Sequence, residues 1–125
     1  MTSFPELSSV QASLAALDRE LGPEAVGELL TAFLKDTPAS LAELDRLSRG
    51  GDAPTFARAA HSLAGSCSIF GLEEMRTQAL ALEKSAAAGE HERSADLLAA
   101  LQGNYPVIRP HLERLHAALP GSLPQ

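Results

Sequence analysis

Apolar residues recur at helical spacing over almost the whole chain. In the first segment the apolar positions alternate steps of three and four residues, which places them on one stripe of a helix. These positions are Leu7, Val10, Leu14, Leu17 and Leu21. Gly22 then supplies a C-terminal stop, and Pro23 suits the first turn of a following helix.

The second apolar stripe is longer and ends at Gly50–Gly51. Its positions are Val26, Leu29, Leu30, Phe33, Leu34, Leu41, Leu44 and Leu47. Pro38 lies inside this stripe. Because proline lacks the backbone donor of a helical hydrogen bond, we expect a kink, or a break near Asp36–Thr37.

A third helix is predicted after Asp52, which is a good N-cap residue, and Gly71 closes it. Its apolar stripe consists of Phe56, Ala60, Leu63, Cys67 and Phe70. The fourth helix stops at Gly89 and presents Leu72, Met75, Ala79, Leu82 and Ala86.

The last helical region runs from about Glu92 to Leu119, and Pro106 and Pro110 should kink or split it. Its apolar positions are Leu97, Leu98, Leu101, Val107, Ile108, Leu112, Leu115 and Leu119. Several amphipathic helices with short connections predict an antiparallel bundle. Residues 120–125 are expected to form a flexible tail.

Composition supports this interpretation and excludes several classes of protein. The 125 residues suffice for one domain, and Ala and Leu, both strong helix formers, make up about a third of them. A net charge of −6 argues against a nucleic-acid partner, and a single cysteine excludes an internal disulfide. The chain has no apolar run long enough to span a membrane, and its start lacks the regions of a signal peptide, so we expect a cytoplasmic protein.

One face of the third helix differs from an ordinary exposed surface. His61 lies about 160° around the helix axis from Leu63, so it should point to solvent. Its neighbours on that face are Ala57, Arg58, Ala64, Gly65 and Ser68. Such a face normally carries long polar side chains, and a glycine inside a helix costs about 1 kcal/mol relative to alanine.

Two interpretations of this face remain open on the pattern alone. An exposed imidazole beside small residues is suited to a transferable chemical group on a docking face, with Gly65 leaving room for a second molecule. Alternatively, the histidine has no chemical role and Gly65 allows close helix packing.

The segment from His61 to Gly71 resembles the signature of histidine phosphotransfer (HPt) domains. The family pattern is His-x-x-Lys-Gly, small residues, and a glycine ten positions after the histidine; here His61 and Gly65 are followed by Ser66–Ser68 and Gly71. Upstream, the run from Leu29 to Leu44 is similar to the second helix of the family. Downstream, Leu72 and Leu82–Glu83 match its fourth helix.

The resemblance implies an antiparallel, up-down four-helix bundle with an additional short N-terminal helix, spanning about residues 7–119 of a single domain (1–125). It also implies that His61 accepts a phosphoryl group from an aspartyl phosphate or a kinase and passes it to a receiver aspartate. The expected partners are response-regulator receiver domains and a sensor or hybrid histidine kinase. The protein itself would need no cofactor, because the receiver would bring Mg²⁺.

The chain departs from the family pattern at one position, where Ala64 replaces the usual lysine. Arg58 on the same helix and Lys84 on the next are candidates to supply its positive charge. Glu83 occupies a position from which some family members hydrogen-bond the histidine ring, although a solvated glutamate on a helix face is an equal alternative. The absence of the lysine gives weight to a rival hypothesis, a helical adaptor that binds receiver or kinase domains without being phosphorylated.

The other distinctive residues have simpler interpretations. His91, His111 and His116 are expected at the surface, and their spacing does not favour a zinc site. Cys67 should be a small residue of the core. The aromatic residues Phe33, Phe56 and Phe70 are also expected in the core. Leu7 or Val10 could contact a receiver beside the docking face. We expect a monomeric carrier that stands alone or forms one module of a larger kinase.

Overall fold

The computed structural model describes residues 5–119, which form five α-helices and no strand. The helices are α1 (Leu7–Leu21), α2 (Pro23–Gly50), α3 (Ala53–Ile69), α4 (Glu73–Ala87) and α5 (His91–Ala117). The all-helical prediction is confirmed. The expected flexible tail at residues 120–125 lies outside the described residues.

Helices α2 to α5 form the four-helix bundle. Substantial packing joins α2 to α3, α3 to α4, α4 to α5 and α5 back to α2, which is the order of a closed ring. Helix α3 therefore lies diagonally across the bundle from α5, and α1 packs mainly on α2. A single hydrophobic core runs through all five helices.

The glycines predicted to end helices do so in the structure. Gly22, Gly71 and Gly89 have positive φ angles of 88°, 70° and 72°, a conformation that glycine adopts without a steric penalty. At the other end of α3, the Asp52 carboxylate accepts a hydrogen bond from the Thr55 backbone N–H at 2.8 Å. This bond is the main reason why the pKa of Asp52 is lowered, as expected for an N-cap.

Helix α1 is held against the turn between α3 and α4 by two polar contacts. The Ser9 hydroxyl donates to the Gly71 carbonyl oxygen at 2.9 Å. A Glu6 carboxylate oxygen accepts from the Glu74 backbone N–H at 2.5 Å, which satisfies a free donor in the first turn of α4. Because Leu72 at the N-cap provides no side-chain acceptor, α1 supplies the cap that α4 lacks.

The break expected near Asp36–Thr37 is wrong, because α2 continues through Pro38. Proline leaves the carbonyl of Leu34 without its helical donor. The Tyr105 hydroxyl of α5 donates a hydrogen bond to that oxygen at 3.3 Å, and the Thr37 hydroxyl donates to the Phe33 carbonyl at 2.6 Å. Packing against α5 thus compensates for the missing backbone hydrogen bond.

Helix α5 is likewise not split, although it contains Pro106 and Pro110. Both prolines lie on its exposed side, whereas the neighbouring Tyr105, Ile108 and Leu112 are buried. The burial of these three side chains holds both flanks of the proline segment on the bundle. Tertiary packing here outweighs the local preference against helix.

Most predicted core positions are buried, with a few exceptions. Leu7, Leu21, Leu29 and Val107 are exposed, whereas the unpredicted Tyr105 is buried. Val10 is fully buried, so its suggested contact with a receiver is wrong: α1 turns this side chain into the core. No helix among residues 5–119 combines the length and hydropathy needed to cross a membrane.

Replacement of Gly71 by alanine should destabilise the fold. A Cβ atom there would lie 2.5 Å from Ser13 Oγ and 2.7 Å from the Ser9 carbonyl oxygen, and φ is +70°. We expect Gly71→Ala to lower the free energy of unfolding by about 2 kcal/mol, measured by urea denaturation followed by circular dichroism. The matched control is Gly103→Ala on α5, where nothing lies within 4 Å of the added atom. It should raise stability by up to about 1 kcal/mol; equal stability of the two variants would contradict this account of Gly71.

Candidate functional site

His61 stands on the outer surface of α3, as its position around the helix predicts. Its side chain is 68% exposed. Nδ1 lies 3.0 Å from Oε1 of Glu83 on α4, whose side chain is 35% exposed. The structure therefore favours the orienting role of Glu83 over that of a glutamate with no contact to the ring.

This contact determines which ring nitrogen is available for chemistry. A carboxylate is an acceptor only, so the 3.0 Å contact is a hydrogen bond when Nδ1 carries the proton. In the neutral ring, Nε2 then holds the free lone pair. The imidazole is thus held in one orientation with its nucleophilic nitrogen directed away from Glu83.

Gly65 leaves open space one turn after His61. An added Cβ atom would meet nothing within 4 Å, so close packing against another helix of this chain does not explain the glycine. The residue is exposed, like Ser62 and Ser68 on the same side of the helix. The surface beside the imidazole is consequently flat and accessible.

Ala64 does not belong to the exposed face, and its assignment there is wrong. It is 3% exposed and lies in the hydrophobic core, while Ala57 is half-buried against that core. The prediction centred the buried stripe of α3 on Leu63. Ala60 and Cys67, which the predicted stripe already contains, lie about 100–120° from His61 on the side of Ala64 and are fully buried. The buried side of α3 thus extends beyond these two residues to Ala64.

The two candidate cations do not contact the imidazole. Arg58 is exposed, and its guanidinium donates to the Thr55 hydroxyl at 3.3 Å, toward the N-terminus of α3. Lys84 is exposed near the C-terminal end of α4. Within residues 5–119, Glu83 alone forms an ion pair or side-chain hydrogen bond with His61.

A shallow apolar groove between α2 and α3 lies beside this face and was not predicted. Leu29 and Ile69 at the groove are 37% and 46% exposed, and Phe33 and Phe70 also line it. Ile69 lies two turns after His61, about 80° around the helix, so the same helical-wheel reasoning could have found it. The contribution of α2 depends on helix packing and has no local signal.

Cys67 and the other histidines lie apart from this chemistry. Burial raises the pKa of the Cys67 thiol to about 12, as expected for an unreactive core cysteine. His91 is exposed, whereas His111 and His116 are half-buried, a correction to their expected surface positions. His111 accepts from Arg114 at 2.7 Å within α5, whereas His116 is bonded to Thr31 at 2.8 Å and so joins α5 to α2. Among the described side chains, no group of three or more His, Cys, Asp or Glu residues is placed to hold a metal ion.

Comparison with known protein families agrees with the geometry. The family model of the Hpt domain matches residues 28–120. The match begins within the first third of α2 and ends one residue beyond the described range. Searches of curated proteins and of solved structures gave no match. Hpt domains are phosphocarrier modules of phosphorelays rather than kinases, and they generally partner with receiver domains and kinases. With a match over well more than half of its length, the chain belongs to the Hpt domain family.

Proposed function

We propose that His61 is the phosphoacceptor of a phosphorelay, taking a phosphoryl group from the aspartyl phosphate of a receiver domain or from a kinase and passing it to a response-regulator aspartate. The observation that carries the proposal is the pairing of an exposed imidazole with Glu83 at 3.0 Å. Open space at Gly65 beside the ring supports it.

The transfer follows from the orientation of the ring. The lone pair of Nε2 attacks phosphorus in line, a P–N bond forms, and the P–O bond to the donor aspartate breaks with its electron pair leaving on the carboxylate. The ring gains positive charge while its Nδ1–H still faces the Glu83 carboxylate, which stabilises that charge. In the second transfer an acceptor carboxylate attacks phosphorus, and the P–N electron pair returns to Nε2.

The lack of acidic residues on α3 favours the approach of a negatively charged phosphoryl group. No Asp or Glu occurs between Ala53 and Ile69, although the whole chain has a net charge of −6. An incoming phosphoryl group therefore meets no carboxylate on this helix. The Mg²⁺ that neutralises the moving group would come with the receiver domain.

Arg58 and Lys84 are the residues that would supply positive charge in place of the family's lysine. The Arg58 guanidinium is exposed and bonded only weakly to Thr55, at 3.3 Å, so it is available to turn toward a phosphoryl group. With Ala64 buried in the core, the positive charge would come from these two exposed side chains rather than from the usual position.

Substitution of His61 tests the acceptor directly. Incubation of the protein with a receiver domain carrying labelled aspartyl phosphate should transfer acid-labile, base-stable label to the wild type and none to His61→Gln. The exposed His91 provides the matched control, since His91→Gln should be labelled normally. Label retained by His61→Gln would refute the site, and an unlabelled wild type with every receiver tested would favour the adaptor.

Glu83 is proposed as a positioning residue, and its two substitutions should differ. Glu83→Ala removes a half-exposed hydrogen bond worth about 1 kcal/mol and should slow the single-turnover transfer rate about five- to tenfold. Glu83→Gln keeps an oxygen acceptor for Nδ1–H but lacks the negative charge, so it should recover part of that rate. The KM for the receiver should change little in either variant. A rate equally low in both variants would contradict the orienting hydrogen bond.

Substitution of Gly65 should leave the free protein folded, but a large side chain there should slow transfer with a receiver domain. Because space is open around it, Gly65→Ala is expected to raise the free energy of unfolding by about 1 kcal/mol. The longer side chain of Gly65→Gln should leave the helix folded and slow transfer at least tenfold by blocking the approach to His61. Gly103→Gln on α5, diagonally across the bundle, is the matched control and should transfer normally. Unchanged kinetics in Gly65→Gln would remove this explanation of the glycine.

A further inference from the structure

The groove between α2 and α3 is apolar apart from a few polar groups at its edge. Among the described residues that line it, Asp36 is the single charged one, and the other polar side chains are the hydroxyls of Thr37, Ser40 and Ser66. Asp36 is exposed, and no cation within residues 5–119 forms an ion pair with it. The carboxylate is therefore solvated in the free protein.

This groove falls within the area that a molecule bound over His61 covers. A typical specific interface buries about 800 Å² on each partner, roughly a disc of 16 Å radius. Ser66 and Ile69, which line the groove, lie only about 8 and 12 Å further along α3 than His61. Leu29 and Ile69 also provide exposed apolar area on this side of the imidazole.

Along the helix axis Asp36 lies nearer to the level of His61 than Leu29 or Ile69 does. The rings of Phe33 and Phe70 are 5.1 Å apart, which sets the register of the antiparallel helices α2 and α3. Asp36 follows Phe33 by about one turn, and so lies at the level of Ser66, about one turn before Phe70. A partner that covers both His61 and this groove therefore also covers Asp36.

Covering an unpaired carboxylate is unfavourable unless the partner supplies a donor. A desolvated charge without a partner opposes binding, whereas a matched cation offsets the loss of hydration and excludes wrong partners. Apolar area alone does not discriminate between receivers, because many proteins present apolar residues. A single exposed charge beside an apolar groove does discriminate between them.

We propose that Asp36 is a specificity-determining residue of this carrier, which selects receiver domains that present a lysine or arginine beside the apolar residues that fill the groove. The inference rests on the proposed phosphotransfer through His61. It assigns Asp36 to recognition only, since its side chain lies on α2 and touches none of the reacting atoms.

The experiment compares Asp36→Asn with the wild type on a panel of purified receiver domains phosphorylated with acetyl phosphate. For receivers that react well with the wild type, Asp36→Asn should lower kcat/KM about tenfold, while the single-turnover rate at saturating receiver stays within twofold. Asp36→Lys should lower kcat/KM further. It should regain activity toward a receiver variant whose interface lysine or arginine is replaced by glutamate.

Asp96→Asn is the matched control, because it makes the same change of charge at an exposed position on α5, diagonally across the bundle from α3. Its kinetics should equal those of the wild type. If Asp36→Asn behaves like this control while His61 is labelled normally, the inference is overturned and the phosphotransfer proposal stands. If wild-type His61 is never labelled, the proposed function fails and Asp36 selectivity fails with it.

Discussion

The packing of α3 against α4 is the constraint on which the site depends. The buried positions of these two helices include several small residues, among them Ala60 and Cys67 on α3 and Ala79 and Ala86 on α4. Small side chains let two helices approach closely. Because α4 lies close beside α3, a glutamate on its outer edge can reach the Nδ1 atom of an imidazole that remains 68% exposed. The same approach buries Ala64, one turn from that imidazole.

The register of this helix pair is set at the α3–α4 turn, where α1 contributes. Gly71 turns the chain with a positive φ, and the Ser9 hydroxyl bonds to its carbonyl. Glu6 caps the first turn of α4 through the Glu74 N–H. If the sequence of α4 were shifted by one residue while the helix kept its place, Glu83 would move by about 1.5 Å along the axis and turn by about 100° around it. That shift is enough to lose its contact with His61. Helix α1 therefore supports the site from a distance, without contributing a reacting group.

The sequence predicts those features that depend on a single helix. Burial of Leu63 and Phe70 and exposure of His61 follow from position around one axis, and the N-cap at Asp52 follows from its local pattern. Predictions fail where a second helix decides the outcome. Ala64 is buried in the core of the bundle, the Leu34 carbonyl left free by Pro38 accepts from Tyr105 of α5, and the groove at Asp36 exists only because α2 and α3 are neighbours. An alanine is compatible with core and surface alike, so its own chemistry gives no signal.

The lack of long polar side chains around His61 is consistent with a phosphocarrier, which must give up the phosphoryl group that it accepts. A side chain that bound the phosphoryl group tightly would stabilise the phosphorylated state, and the same free energy would then oppose the second transfer. Here Glu83 contacts the ring on the side away from Nε2, and no cation among the described residues contacts His61. If His61 is the phosphoacceptor, as we propose, the charge that assists each transfer comes chiefly with the receiver domain, so it is present during transfer and absent afterwards. Replacement of the family's lysine by Ala64 extends this division of roles. Residue 64 is buried, and the candidate cations Arg58 and Lys84 are exposed and form no ion pair or hydrogen bond with the ring.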